Sequence, residues 1–287
     1  MTAAQRNPLV LVGPAALLFL GVVVTPLGMT LLLSLHGWDS SGAGILPIIS
    51  ARNYIEIFSD GFFAEVFLRT FRISLWVTVI CVLIGVPEAY ILRRMREPWR
   101  SIFVLVVIGP LLLSVVARTL GWALLLGGNG LISKALHASG LTSRPFSLMF
   151  TEAGVIIALV HVLVPFMVLS VWASLSRMDK LVERAAQSLG ASPFTIFRRI
   201  VLPQAMPGIL SGSIIVFSLA ASAFATPAII GGRRLKVVAT LAYDEFLNTL
   251  NWPLGAALAI ILLVGIFAIV VGWNRMVERR YAQVFAA

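Results

Sequence analysis

Charge is scarce in this 287-residue chain. Asp, Glu, Lys and Arg make up 12% of it, and only 12 residues are acidic. Soluble domains carry about 25% charged residues, so the polar surface is too small to wrap a 59% hydrophobic composition in water. Histidine (3) and cysteine (1) are rarer still. The lone thiol, Cys81, lies in an apolar run with no second thiol to oxidise it or share a metal, so no metal site is expected. No G-x-x-x-x-G-K-[ST] segment occurs, which excludes a P-loop ATPase site in this chain. The cluster Gly127, Gly128, Asn129, Gly130 lacks the following Lys-Ser/Thr and reads as a turn. An intramembrane enzyme such as a protease needs a nucleophile and a base at one depth. Only His161 lies in a span, without a nucleophile motif, which leaves this as a remote alternative.

What the chain has instead is long apolar runs and a mean hydropathy of +0.98. A helix rises 1.5 Å per residue, so about 20 apolar residues cross the hydrocarbon core. Six stretches qualify: about Leu9–Leu35, Phe71–Leu92, Ile102–Leu126, Ala153–Leu175, Gly208–Ile230 and Leu254–Trp273. The first is too long for the 7–15-residue apolar core of a signal peptide and lacks a small-x-small cleavage site, so it reads as a retained span. The expectation is an all-α polytopic membrane protein, with residues 1–287 forming one transmembrane domain. The fifth stretch is rich in small and hydroxyl residues (Gly208, Ser211, Gly212, Ser213, Ser218), which allow close helix approach or line a polar path.

The net charge of +10 sits mostly between the apolar runs. That is topology-setting charge facing lipid head groups rather than a nucleic-acid stripe. With the N-terminus inside, the inner set is Arg6; Arg93, Arg94, Arg96, Arg100; Arg177, Lys180, Arg184, Arg198, Arg199; and Arg275, Arg279, Arg280. Asp39, Glu56, Asp60, Glu65, Glu152, Asp244 and Glu245 fall outside, beside Arg52, Arg69, Arg72, Lys134, Arg144, Arg233, Arg234 and Lys236. Both termini are therefore expected in the cytoplasm. The outer segments, about His36–Thr70, Gly127–Glu152 and Gly231–Pro253, carry enough amphipathic material for short interfacial helices.

The loop from Arg177 to Pro207 is patterned. Asp179 is placed to cap a helix holding Glu183, Ala185, Ala186 and Leu189, which Gly190 stops. Ser192 and Pro193 then start a second helix expected to run to Pro203. Phe194, Phe197 and Ile200 recur at i, i+3 and i+6, an apolar face suited to the membrane surface or to a soluble partner.

These residues resemble the cytoplasmic loop of permease subunits of ATP-binding-cassette importers: Glu-Ala-Ala, three residues, Gly, nine residues, Ile-x-Leu-Pro. Ala185, Ala186, Gly190, Ile200, Leu202 and Pro203 fall in register, whereas Arg184 occupies the glutamate's place and Glu183 lies one residue earlier. The resemblance covers most of the chain and is closest to the spermidine/putrescine type. It is carried also by RTLGWALLLGGNGLIS (118–133), LVPFMVLSVWASL (163–175), TPAIIGG (226–232) and NWPLGAA (251–257). It implies a type I importer permease of the bacterial inner membrane, paired with a second permease, two ATPase subunits and an external substrate-binding protein. ATP and magnesium would be held by the ATPase, and the loop from 177 to 207 would couple its closure to the permease.

Residues for a solute path are fewer. Ionisable groups at membrane depth are candidates by default: Glu88 beside Pro87, or else a group snorkelling to the inner interface; Arg118, placed by the resemblance near an outer gate; and His161 beside Pro165, with a capacity for pH sensitivity. A polyamine calls for carboxylates and aromatic faces. Glu88, Asp244, Glu245, Trp76, Trp122, Phe224 and Trp252 supply them, with Ser218, Ser222 and Thr226 as pathway wall near a helix break at Pro227. The thin supply of buried acid and the presence of Arg118 keep open a second cargo class: iron, phosphonate, opine or another small anionic solute.

Overall fold

A computed structural model describes residues 8–39, 44–142 and 145–285, with side chains for 12–39, 44–142, 145–179 and 181–275. Arg6 and Arg144, and the side chains of Lys180, Arg279 and Arg280, counted above in the charge asymmetry, lie outside the described residues. Among the described residues, six helical stretches are long and apolar enough to cross a membrane: Val12–Ser34, Gly61–Arg94, Val115–Ala138, Glu152–Ser176, Pro193–Ala221 and Trp252–Arg275. The chain divides into two compact units, Met1–Ala64 with Leu241–Val264 and Glu65–Thr240 with Gly265–Ala287.

In the first unit, α1 (Pro8–Phe19) and α2 (Thr25–Ser34) join through a π-turn at Leu20–Val24. Pro26 follows one residue later, after Thr25, and the wider turn accommodates the missing N–H of proline. The segment after α2 is more than the expected interfacial helix. Strands β1 (His36–Asp39) and β2 (Gly44–Ile49) pair antiparallel, with Trp38 opposite Ile45, and precede α3 (Arg52–Ser59). Buried Asn53 ties the hairpin to the span, its amide donating to the carbonyls of Ser34 (2.8 Å) and His36 (2.9 Å). The Tyr54 hydroxyl meets Ser34 Oγ at 2.7 Å.

The second unit is organised by α4 (Gly61–Arg94) and α8 (Glu152–Ser176). Near their N-terminal ends Arg72 pairs with Glu152, and at their C-terminal ends the Arg93 guanidinium donates to Met178 O at 3.0 Å, so the two run parallel. Parallel packing places an odd number of crossings between them. α4 begins ten residues before the expected Phe71 because the early charges are neutralised: Arg69 pairs with Glu65 and Glu152. Buried Val77, Cys81, Val155, Leu159, Met167, Val168 and Val171 form the core.

The third crossing departs from the expected Ile102–Leu126. It is broken at Leu113 and Ser114, both extended, into α5 (Trp99–Leu112) and α6 (Val115–Leu126), with α7 (Leu131–Ala138) beyond the glycine turn. Pro110 removes a helical N–H one turn before the break. Arg118 staples the two pieces by donating to Pro110 O.

The loop from 177 to 207 and the fifth span also differ from expectation. After α9 (Lys180–Ser188), α10 (Pro193–Ile196) passes through a π-turn at Phe197–Val201 into α11 (Leu202–Ala221), so the second helix does not stop at Pro203. Pro203 lies one residue beyond the π-turn, after Leu202, and the wider ladder accommodates the missing proline N–H inside a continuous helix. α11 lies against α8 at small residues, the means by which helices associate where lipid removes the hydrophobic drive. A Cβ added at Gly208 would come within 2.5 Å of Ser170 O, and one at Gly212 within 2.8 Å of Met167 Sδ. The chain breaks at Ser222–Phe224, earlier than the expected Pro227, and then forms a π-turn at Pro227–Gly231. α12 (Val238–Leu247) and α13 (Trp252–Phe285) complete the chain.

Candidate coupling site

The loop after α8 begins with the expected cap. The Asp179 carboxylate accepts the Leu181 N–H at 2.8 Å, satisfying an orphan donor of α9. Gly190 adopts φ +80, the left-handed conformation that ends a helix at low cost only for glycine. The Ala191 N–H reaches back to Ala186 O at 3.0 Å across this turn. Ser192 Oγ then accepts the Thr195 N–H at 3.2 Å and Pro193 follows, so α10 starts as its sequence dictates.

Glu183 is the structural centre of the loop. It lies in the first turn of α9 and is 7% exposed. Its carboxylate pairs with Arg93 and with Arg94, the latter at 2.7 Å, and accepts from the Tyr90 hydroxyl at 3.3 Å. Burial works to raise this carboxyl, and the hydrogen bonds from Arg94 and Arg93 outweigh it, holding the group below the usual carboxylate range. Arg93, also buried, spends its second nitrogen on Met178 O. The Tyr90 ring lies 5.4 Å from Phe197, and the Arg94 guanidinium stands 4.6 Å from the Tyr90 ring centre. One node thus fastens the end of α4, the start of α9 and the π-turn after α10.

This corrects the expected apolar face. Phe194 is 71% exposed, whereas Phe197 and Ile200 are partly buried and Ile196, one residue earlier than Phe197, is fully inside. The π-turn breaks the i, i+3, i+6 register. Outward from the loop stand Leu181, Arg184, Ala185, Leu189, Gly190, Phe194 and Pro203, with Ala186 and Leu202 half-buried. Tyr90, Arg93 and Arg94 were missed as partners of Glu183. The two arginines read as topology charge, and nothing in the local sequence sets them beside a residue ninety positions on.

The pathway candidates do not form one cluster. On α4, Trp76 is exposed and Glu88, half-buried, is twelve residues away. Across α6 and α8, the Trp122 indole N–H donates to His161 Nδ1 at 3.1 Å, with rings 5.5 Å apart. An indole only donates, so that ring nitrogen is the unprotonated one. Thr226, buried, meets Thr119 at 3.1 Å, hydroxyl to hydroxyl. Ser222 bonds Ser218 O, and Phe224 is half-exposed after the helix break. In the other unit, Asp244 accepts from the Asn248 amide, Glu245 from the Thr249 hydroxyl, and the Trp252 indole donates to Phe246 O.

Multiple apolar spans, with α4 and α8 running parallel and ending on one capped helix pair, describe a membrane-spanning helical subunit. The chain belongs to the binding-protein-dependent transport system inner membrane components, whose family model matches residues 90–283. It is an importer permease subunit, a transport component rather than an enzyme. Among relatives, it is 33% identical to the spermidine/putrescine transport system permease protein PotB of Haemophilus influenzae over 84% of each chain. It is 34% identical to the molybdenum transport system permease protein ModB of Mycobacterium bovis, over 68% of this chain and 72% of that one. In fold it matches a bacterial alginate ABC transporter solved with its pentasaccharide-bound periplasmic protein, at TM-score 0.76 and 17% identity over 96% of both chains. The MetNI methionine transporter matches at TM-score 0.58 and 15% identity, over 75% of this chain and 94% of that one.

Proposed function

We propose that this permease imports a polyamine of the spermidine/putrescine class across the bacterial inner membrane. The observation that carries this reading is the 33% identity over 84% of the chain to a spermidine/putrescine permease. Both termini and the loop 177–207 face the cytoplasm, in keeping with the charge asymmetry. A second permease completes the pathway, an external binding protein delivers the solute, and two ATPase subunits hold ATP and magnesium.

The coupling surface is formed by exposed Arg184, Ala185, Gly190 and Pro203 with half-buried Ala186, Ile200 and Leu202 between them, and Glu183 acts behind it. Trp76, Glu88, Trp122, Ser218, Ser222, Phe224, Thr226, Asp244, Glu245 and Trp252 are the candidates for the pathway. The similarity to a molybdenum permease, with Arg118 at a helix break, favours an anionic solute as the second reading. Uptake of labelled spermidine, molybdate and iron in a strain lacking this chain separates them. Loss of spermidine uptake alone, restored by the chain, is the expected result. Intact polyamine uptake with loss of an anion rejects the first cargo.

A further inference from the structure

A groove of about 350 Å³ runs between α4, α11 and α13, and every residue lining it lies in the second unit. Its walls are apolar apart from the hydroxyls of Thr78 and Ser213 and the Trp273 indole, and Thr78 spends its hydroxyl on Ser74 O within α4. One end is shut. Phe217 stacks on Phe71 with ring centres 6.3 Å apart, and a Cβ added at Gly265 would stand 3.0 Å from the same Phe71 ring, so the three helices meet there. The other end is marked by Met206 and by exposed Trp273, two residues before Arg275, where the apolar run of α13 gives way to charge. An aromatic at such a boundary is the mark of the membrane interface.

The wall of α11 from Met206 to Phe217 is about 16 Å long at 1.5 Å per residue, about half of the roughly 30 Å of hydrocarbon. The groove therefore occupies one leaflet, on the side of the loop 177–207. The rim residues Leu75 and Leu83 are exposed, so the groove is reached from the bilayer. Apolar cavities of about 150 Å³ stay dry and take up hydrocarbon instead, and a void would forfeit the contacts of its walls. A helix at least 10 Å across would need roughly 1,300 Å³ over 16 Å, far more than the groove offers. A single hydrocarbon chain is thin and flexible enough to enter. The solute-path candidates face elsewhere: at 100° per residue, Ser218 and Ser222 lie roughly 110–150° around α11 from the groove, Glu88 roughly 150° around α4 and Trp76 roughly 90°.

We infer that this groove holds one acyl chain of a phospholipid from the leaflet on the side of the loop 177–207, with Trp273 at its mouth and Phe217 at its closed end. The chain fills the space between α4, α11 and α13 on the side of α11 turned away from Ser218 and Ser222. The inference goes beyond the importer reading and needs only that these helices cross a membrane.

The test places the full chain, alone and in the assembled importer, in phosphatidylcholine vesicles with a trace of phosphatidylcholine bearing a photoreactive diazirine on its acyl chain. Peptide mass spectrometry then locates the label. Thr78, 8% exposed, and Phe217 should be labelled above Leu31 and Leu32, exposed residues of α2 that set the level of passing lipid. Ser213→Leu and Leu210→Trp put bulk into the groove and should abolish that excess, with melting temperatures matching the unsubstituted chain verifying the fold. Labelling of Thr78 and Phe217 no higher than at Leu31 and Leu32, or an excess that persists in the folded variants, overturns the site. Labelling by a diazirine fatty acid but not by the phospholipid makes the occupant a free fatty acid and also overturns the assignment. Labelling of the isolated chain that vanishes in the assembled importer gives the groove to the second permease, with the same consequence.

Discussion

Two polar clusters in the second unit differ in kind. At the end of α4, Glu183, Arg93, Arg94, Tyr90 and the Met178 carbonyl form a buried, charged, multiply bonded node. Between α6 and α8, Trp122 and His161 share a single neutral hydrogen bond, and Thr119 meets Thr226 nearby through another. A compensated buried charge resists separation because each partner would be left unpaired in a poor solvent for charge. A lone neutral bond exchanges partners cheaply. The first cluster suits transmission of force from the loop, and the second suits a lining that rearranges as solute passes.

The largest effect that sharpens this contrast is expected from Glu183→Ala. It leaves buried Arg93 without its counter-charge, a loss of about 3–5 kcal/mol, read as a drop in melting temperature in detergent and loss of ATP-driven uptake. A stability close to that of the unsubstituted chain would show that the node is not structural. Next is Gly208→Val. A side chain there meets Ser170 O and Ser174, and overpacking of this kind costs about 1–3 kcal/mol; separation of α11 from α8 is measurable by spin-label distances.

Gly190→Val is expected to cost roughly 1–2 kcal/mol through its positive φ alone, since no atom lies within 4 Å of a Cβ there. Its functional effect should exceed its effect on stability: uptake falls while ATP hydrolysis continues, whereas Gly190→Asn, which tolerates that φ, retains more uptake. Normal uptake by the valine variant would remove the loop from the coupling path. Smallest is Thr119→Val, about 1 kcal/mol for the hydrogen bond to Thr226, the other bond of that hydroxyl being to Val115 O in its own helix, with a change in uptake rather than in melting temperature.

Acid titration separates the clusters in another way. The Glu183 carboxyl is held below its ordinary value of 4.5, so its contribution to stability is complete above that pH and is lost as pH falls through the lower, folded-state value. The difference in melting temperature between the unsubstituted chain and Glu183→Gln should hold from neutral pH down to the ordinary carboxylate range and shrink only below it. A difference that vanishes nearer neutrality would mean the carboxylate is not held by the two arginines.

Hydropathy made the number of spans legible, and local chemistry made Asp179, Gly190, Ser192 and Pro193 legible, because a cap or a left-handed turn depends on a few adjacent residues. The continuity of α10 into α11 was not legible. A proline reads as a stop unless a π-turn such as Phe197–Val201 precedes it, and no residue type announces that turn. The break at Leu113 was hidden by an unbroken apolar run, and the hairpin from His36 to Ile49 by a segment short of alternating pattern. The site was half visible. Glu183 was singled out for its shifted place against the family pattern, but its partners Tyr90, Arg93 and Arg94 come from another span, and one sequence carries no record of contacts so distant.

The central claim, that the loop from 177 to 207 meets the ATPase, is tested most directly by a cysteine at Ala186. Cys81 is fully buried and gives no background. In the assembled importer, Ala186→Cys should cross-link to a cysteine in the surface groove of the ATPase in a yield that changes with ATP. Absence of any cross-link in an importer that still transports would contradict the account.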